Sequence, residues 1–177
     1  MTLALALGVA ATSDLRGAQE AKPSEYEVKA VYLYNFGKFT QWPAGAAAGA
    51  SFDICVLGDD PFGPLLDATI SGETLDGKRA VAKRIKRAEA AASCRILFIS
   101  GSEKGRLDRI LKALENKSVL TVSDIALFSR RGGMIELVEE EARIRFEVNL
   151  AAATRAGLTL RSELLKVARR VRPNSGS

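Results

Sequence analysis

Two hydrophobic periods alternate along this chain. Phe52 to Leu57 and Cys94 to Ile99 are short apolar runs, the pattern of strands covered on both faces. Around them apolar residues recur at helical spacing, as in the i, i+3, i+4, i+7 stripe of Leu107, Ile110, Leu111 and Leu114. Ser24-Glu-Tyr-Glu27 is a capping box, serine with glutamate three positions on, and predicts a helix reaching about Phe39. Val28, Val31, Asn35 and Phe39 line one side of it. Tyr32, Leu33 and Phe36 make other sides apolar too, so this helix is expected to be buried or to lie under a partner. Trp42-Pro43 ends it, because the residue before a proline is pushed out of helix. Ala44 to Ala50 follows as a Gly/Ala linker.

Further on, Asp60 as N-cap and Pro61 at the first helical position predict a helix to about Ile70. Asp76-Gly77 is a tight-turn signal. Ala80 to Ile85 reads as a strand, Arg84 to Ala92 as a helix, and Ser102 as the cap of the Leu107 helix. Val119 to Val122 is a strand, and Ser123-Asp124 opens a short helix. Met134 to Val138 and Ala142 to Val148 are strands joined by the acidic turn Glu139 to Glu141. Ile144, Phe146 and Val148 alternate with Arg143, Arg145 and Glu147, which predicts one buried and one wet face. Asn149 caps an Ala-rich helix that stops at Gly157. A last helix places Leu160, Leu164, Val167, Ala168 and Val171 on one side. Strands alternating with helices predict a single α/β domain over residues 24–172. Its sheet is mostly parallel and flanked by helices, with an antiparallel strand pair near the C-terminus.

Composition changes this picture little. The chain has 177 residues, 47% hydrophobic and 27% charged, enough for one core. No apolar stretch reaches the roughly 18 residues of a membrane span. Leu3 to Ala11 resembles the apolar region of a secretion signal, although no positively charged start precedes it. Residues 1–23 are therefore expected to be a leader and linker, residues 173–177 a disordered tail, and the protein to be exported to the periplasm. The net charge is +5, and Arg155 to Arg172 holds six basic residues against one acid. That segment is either a solvated helix end or a surface for an anionic partner. It has too few aromatic residues for single-strand nucleic-acid binding, and no nucleic-acid partner is expected. The chain has no histidine, which excludes serine–histidine and cysteine–histidine nucleophiles. No cofactor or metal is expected.

Ligands of such sheets sit beyond the carboxyl ends of the strands. Here that rim would hold Asp59, Asp60, Ser100, Gly101, Ser102, Ser123 and Asp124. Asp59-Asp60 invites comparison with a phospho-acceptor site, but the strand ending at Ile99 is followed by Ser100 where a third aspartate is needed. Capping is the simpler role for Asp60. Ser100 and Ser102, at a helix start, have N–H groups suited to an anion, without the glycine–lysine pattern of a nucleotide loop. Arg130 and Arg131, beside two glycines, either clamp a carboxylate or phosphate or form a plain exposed bend. Nothing assembles a catalytic set, and no enzyme activity is expected.

Val31 to Pro43 carries five of the chain's eleven aromatic residues. Phe36 and Phe39 are expected in the core; Tyr34, Trp42 and Pro43 are expected to reach a surface as partner contacts. Cys55 and Cys94 are either a pair or two buried thiols, and they lack the CxxC spacing of a thiol oxidoreductase.

Several of these segments together resemble the YfiR family of periplasmic regulators. They are Tyr34-Asn-Phe-Gly-Lys-Phe-Thr-Gln-Trp-Pro43, Cys55-Val-Leu-Gly-Asp-Asp-Pro-Phe-Gly63, Cys94 to Ser100, Val119 to Asp124, Arg130 to Ile135 and Arg145 to Leu150. The resemblance runs from about Glu25 to Val171. It implies a disulfide between Cys55 and Cys94. It also implies a non-enzymatic repressor that binds the periplasmic part of an inner-membrane diguanylate cyclase and lowers cyclic di-GMP and biofilm formation. The resemblance further implies an outer-membrane lipoprotein partner, redox sensitivity and a homodimer. Tyr34, Trp42, Pro43, Arg169 and Arg170 are the expected partner contacts. The competing expectation is a small-molecule module for an amino acid or nucleotide, using Arg130, Arg131, Ser100 and Ser102.

Overall fold

The two apolar runs become neighbouring strands in the middle of the sheet. A computed structural model describes residues 23–46 and 49–173, so most of the expected leader, the middle of the Gly/Ala linker and most of the tail lie outside the described residues. The chain forms α1 (Glu25–Lys38), β1 (Thr40–Gln41), β2 (Ser51–Leu57), α2 (Pro64–Ile70), β3 (Thr74–Leu75) and β4 (Lys78–Ile85). After a 3-10 segment at Ala88–Ser93 come β5 (Ile96–Ile99), a second 3-10 segment at Gly101–Arg106, α3 (Leu107–Ala113) and β6 (Leu120–Ser123). The remainder is β7 (Ile135–Glu140), β8 (Arg143–Asn149), α4 (Leu150–Arg155), β9 (Thr159–Leu160), α5 (Ser162–Val167) and β10 (Arg170–Arg172).

Eight strands form one sheet in the order β10-β8-β7-β6-β5-β2-β4-β3, and β1 pairs with β9 in a separate antiparallel ribbon. Within the large sheet only β7–β8 and β3–β4 are antiparallel. The α/β class, the mostly parallel sheet and the antiparallel pair near the C-terminus are therefore as expected. Every residue of β2 from Phe52 to Leu57 is buried. Alternate side chains serve two cores, since successive residues of a strand point to opposite faces. Ile54 and Val56 pack with Leu33, Phe36, Phe62, Leu66 and Phe98. Cys55 and Leu57 pack with Leu97, Ile99, Leu107, Ile110 and Phe128. Cys55 is disulfide-bonded to Cys94, with Cα atoms 6.0 Å apart. The bond ties the central strand to the chain that leads into its neighbour β5.

The capping box of α1 is present, with Ser24 and Glu27 bonded reciprocally. The helix buries Ala30, Leu33, Phe36 and Gly37. A Cβ on Gly37 would stand 2.7 Å from Leu75 Cδ1, so the glycine permits close packing there. The predicted apolar face is rotated in the structure: Val31 is 47% exposed, and Phe39 is half-buried. Lys29 is buried instead, with its Nζ 2.5 Å from Asp124 Oδ2 and also bonded to Glu25. Tyr26 Oη donates to the same Asp124 oxygen at 3.3 Å. Burial opposes the charge on Lys29, but the hydrogen bonds it donates to Asp124 and Glu25 outweigh that and raise its pKa above the ordinary lysine value.

Several expectations are corrected, among them the short helix at Ser123-Asp124, where the chain forms only turns. The α2 helix starts at Pro64 behind Gly63, whereas Asp60 caps only a turn by accepting from Phe62 N at 2.9 Å. The Arg84–Ala92 helix does not form; pairing with β2 keeps the chain extended to Ile85, and only a 3-10 segment follows. Ser100, rather than Ser102, accepts the capping bond after β5. The last helix is short, and Arg170–Arg172 is a strand parallel to β8. With β10 against β8, Glu147 loses its predicted wet environment and is buried.

Cys55→Ser and Cys94→Ser are expected to lower stability equally, by about 4 kcal/mol for a loop of this length, with no further loss on reduction. Urea unfolding with and without reductant checks this. Lys29→Met is expected to destabilise by about 2 kcal/mol, since it strands a partly buried carboxylate. Because the folded pKa of Lys29 is raised, its contribution is complete at neutral pH and fades as pH rises above the lysine range. The variant should therefore show a flatter stability profile at high pH than the parent.

Candidate functional site

At the carboxyl rim of the sheet, most polar side chains hold the fold together. Gly58, at φ +94°, leaves β2 so close to the next layer that a Cβ would stand 2.5 Å from Ser102 Oγ. Ser102 Oγ accepts from Asp59 N at 3.0 Å, and Ser100 Oγ accepts from Ser102 N at 3.5 Å. Asp60 accepts from Arg84 Nε at 2.8 Å. Ser123 Oγ donates to Ile99 O at 2.7 Å and accepts from Ile125 N at 3.0 Å. Asp124 holds Lys29. Of the seven residues expected at this rim, only Asp59, Gly101 and Ser102 are exposed.

The aromatic segment is committed to packing along much of its length. Tyr32 Oη donates to Ile144 O at 3.0 Å, and its ring stacks on Phe36, 5.7 Å between centroids. Tyr34 is half-buried and donates to Glu73, which raises its pKa chiefly through that hydrogen bond. Trp42 is half-buried, edge-on to Phe52 at 5.2 Å, with the Arg95 guanidinium 5.5 Å from its ring. Its Nε1 is enclosed and has no hydrogen-bond partner among the described residues. Pro43 is exposed.

At the opposite edge stands a cluster that sequence reasoning did not assemble. Glu147, on β8, lies 3.0 Å from Arg169 Nη1, 3.8 Å from Arg170 Nε and 3.5 Å from Arg172 Nη2. Arg169 also pairs with Glu140 at 3.0 Å. A second buried acid, Glu136, accepts from Leu127 N at 2.8 Å, Ser129 N at 3.0 Å and Ser129 Oγ at 2.8 Å. It fixes the loop between β6 and β7, in which Leu127 takes φ +64° and is 55% exposed. From the sequence Glu147 reads only as a wet-face residue of its strand, and Glu136 carries no signal.

The expected sets are thus divided. Tyr34 bonds Glu73 beside edge strand β3, whereas Arg169 and Arg170 belong to the far edge at β10. Ser100 and Ser102 lie beyond β5, away from Arg130, which lines a cleft with Arg170. Arg131 turns to Asp108, with Nη2 2.8 Å and Nε 3.1 Å from its carboxylate. No group of three or more metal-binding side chains occurs among the described residues. No helix among them is long and apolar enough to cross a membrane.

Comparison with known proteins adds to this geometry. A conserved domain protein from Vibrio cholerae O1 biovar eltor shares the fold at a TM-score of 0.57 and 13% identity, over 84% of this chain and 60% of that one. An ABC domain from Streptococcus pneumonia, crystallised in complex with L-Trp, matches at 0.51 and 9% identity, over 72% of this chain and 57% of that one. This chain thus spans under two thirds of either structure's length. The YfiR/HmsC-like family model matches residues 26–169. The chain therefore belongs to the YfiR/HmsC-like family.

Proposed function

We propose that this protein is a periplasmic, non-enzymatic repressor that binds the periplasmic part of an inner-membrane diguanylate cyclase and holds it inactive. The family match across residues 26–169 carries this reading. The rim geometry supports it, because the side chains best placed for chemistry are engaged in holding loops and α1. Repression requires tighter binding to the inactive cyclase than to the active one, since a ligand with equal affinity for both shifts nothing. In this reading the protein works as a homodimer, an outer-membrane lipoprotein releases it, and the Cys55–Cys94 bond makes it sensitive to redox state. Tyr34, Trp42 and Pro43 form one contact region, and Arg169 and Arg170 a second.

A second reading, a small-molecule module, draws on the structural neighbour described as bound to L-Trp. A melting temperature raised by several degrees with L-tryptophan alone would favour it.

Deleting the gene is expected to raise cyclic di-GMP and biofilm formation; unchanged levels would remove the repressor reading. Trp42→Ala is expected to weaken binding to the cyclase's periplasmic domain by about tenfold, as for a half-buried aromatic contact. Thermal melting of the same variant separates that loss from damage to the packing on Phe52.

A further inference from the structure

Arg130, Arg155, Arg170 and Arg172 line one open cleft of about 760 Å³, together with Ser129 and Asn149. The loop before β7, the helix α4 and the edge strand β10 form its walls. Among the described residues no acidic side chain lines it. Two acids lie buried behind it: Glu136, bonded to Ser129, and Glu147, shared among Arg169, Arg170 and Arg172. Arg130 and Arg155 are exposed and pair with no carboxylate among the described residues. The cleft therefore has a clear excess of positive charge.

One donor group there is incomplete. Arg172 Nε and Nη2 are sealed from solvent and have no hydrogen-bond acceptor among the described residues. Glu147 Oε2, 3.5 Å from Nη2, attracts it without making a hydrogen bond. Those two nitrogens are closed to a ligand, so the donors open to the cleft are the exposed guanidinium groups of Arg130, Arg155 and Arg170. The floor is already rigid: Asn149 donates to Ser129 O at 2.9 Å and accepts from Ala152 N at 3.1 Å, while Ser129 is held by Glu136.

We propose that this cleft binds a small phosphate-rich polyanion. Guanidinium forks match the oxygens of phosphate, and each phosphate group brings roughly one and a half to two negative charges. The volume exceeds a single oxyanion and falls in the range of small-molecule sites. No aromatic ring lines the cleft, so a nucleobase or an indole would find no stacking surface. The charge and the lining both favour a ligand recognised by several phosphates and little else. The cleft is separate from the contact region of Tyr34, Trp42 and Pro43 but shares Arg170 with the second one, so the inference is tested at Arg130 and Arg155, which the cyclase reading does not use.

Calorimetric titration of the purified chain with sodium tripolyphosphate tests it, with inorganic phosphate, citrate and a glutamate-rich peptide as comparisons. Tripolyphosphate is expected to bind more tightly than phosphate or citrate, and affinity should fall as salt is added. Arg130→Gln and Arg155→Gln are each expected to weaken it about tenfold, the scale of one charge-assisted contact, with an unchanged melting temperature. Absence of binding, or tripolyphosphate affinity unaltered by Arg130→Gln and Arg155→Gln together, would overturn the proposal. Equal affinity for citrate would overturn the phosphate class, and binding of the acidic peptide alone would reassign the cleft to a protein contact.

Discussion

Strand β2 has no wet face and no free edge. It lies between β5 and β4, and everything from Phe52 to Leu57 is enclosed. Such a strand must be covered twice, and the two cores follow from that need. On one side, α1 supplies Leu33 and Phe36 and approaches closely because Gly37 has no side chain. On the other, Leu57 meets Leu107, Ile110 and Phe128, and Cys55 is bonded to Cys94. The one polar residue inside the strand is answered locally: Asp53 accepts from Ser51 Oγ at 2.6 Å and from Lys83 Nζ at 2.5 Å. Remove the two-sided burial and neither the helix layer nor the disulfide has a fixed seat.

Features with a local signature were legible in the sequence. The capping box at Ser24, the Asn149 cap, the central strands and the antiparallel pair all rest on patterns a few residues long. Features decided by distant partners were not. Alanine content around Ala88 to Ala92 suggested a helix, but strand pairing reaches Ile85 and leaves room only for a 3-10 segment. Leu160, Leu164 and Val167 suggested a helix that would continue through Arg170, and three residues of alternation are too few to announce a strand. Glu147 was misplaced for the same reason: its face looks wet until β10 covers it. Ser100 and Arg131 were read as candidate ligand groups from their types and positions alone; that Ser100 accepts from Ser102 N and Arg131 pairs with Asp108 is visible only in the folded chain.

The fold also redistributes where polar chemistry is available. In an open α/β sheet the carboxyl rim is the usual place for a ligand. Here that rim fastens α1 through Asp124 and Lys29 and fixes the loop after β2 through Ser102. Positive charge in excess of its acids gathers instead at the edge, where Arg130, Arg155, Arg170 and Arg172 line a cleft and Glu147 is the acid that Arg170 and Arg172 share. A regulator with a rigid, occupied rim and a charged margin is suited to recognising surfaces and anions by shape and charge.

The short outer strand has a further consequence for assembly. An exposed sheet margin invites another chain to add to it, the route by which many sheets run on into fibrils. Here the margin is three residues long, and two of them are arginine. A second copy approaching along this side would set guanidinium against guanidinium, with few backbone bonds to compensate. Edge-to-edge addition of a second copy along β10 is therefore disfavoured.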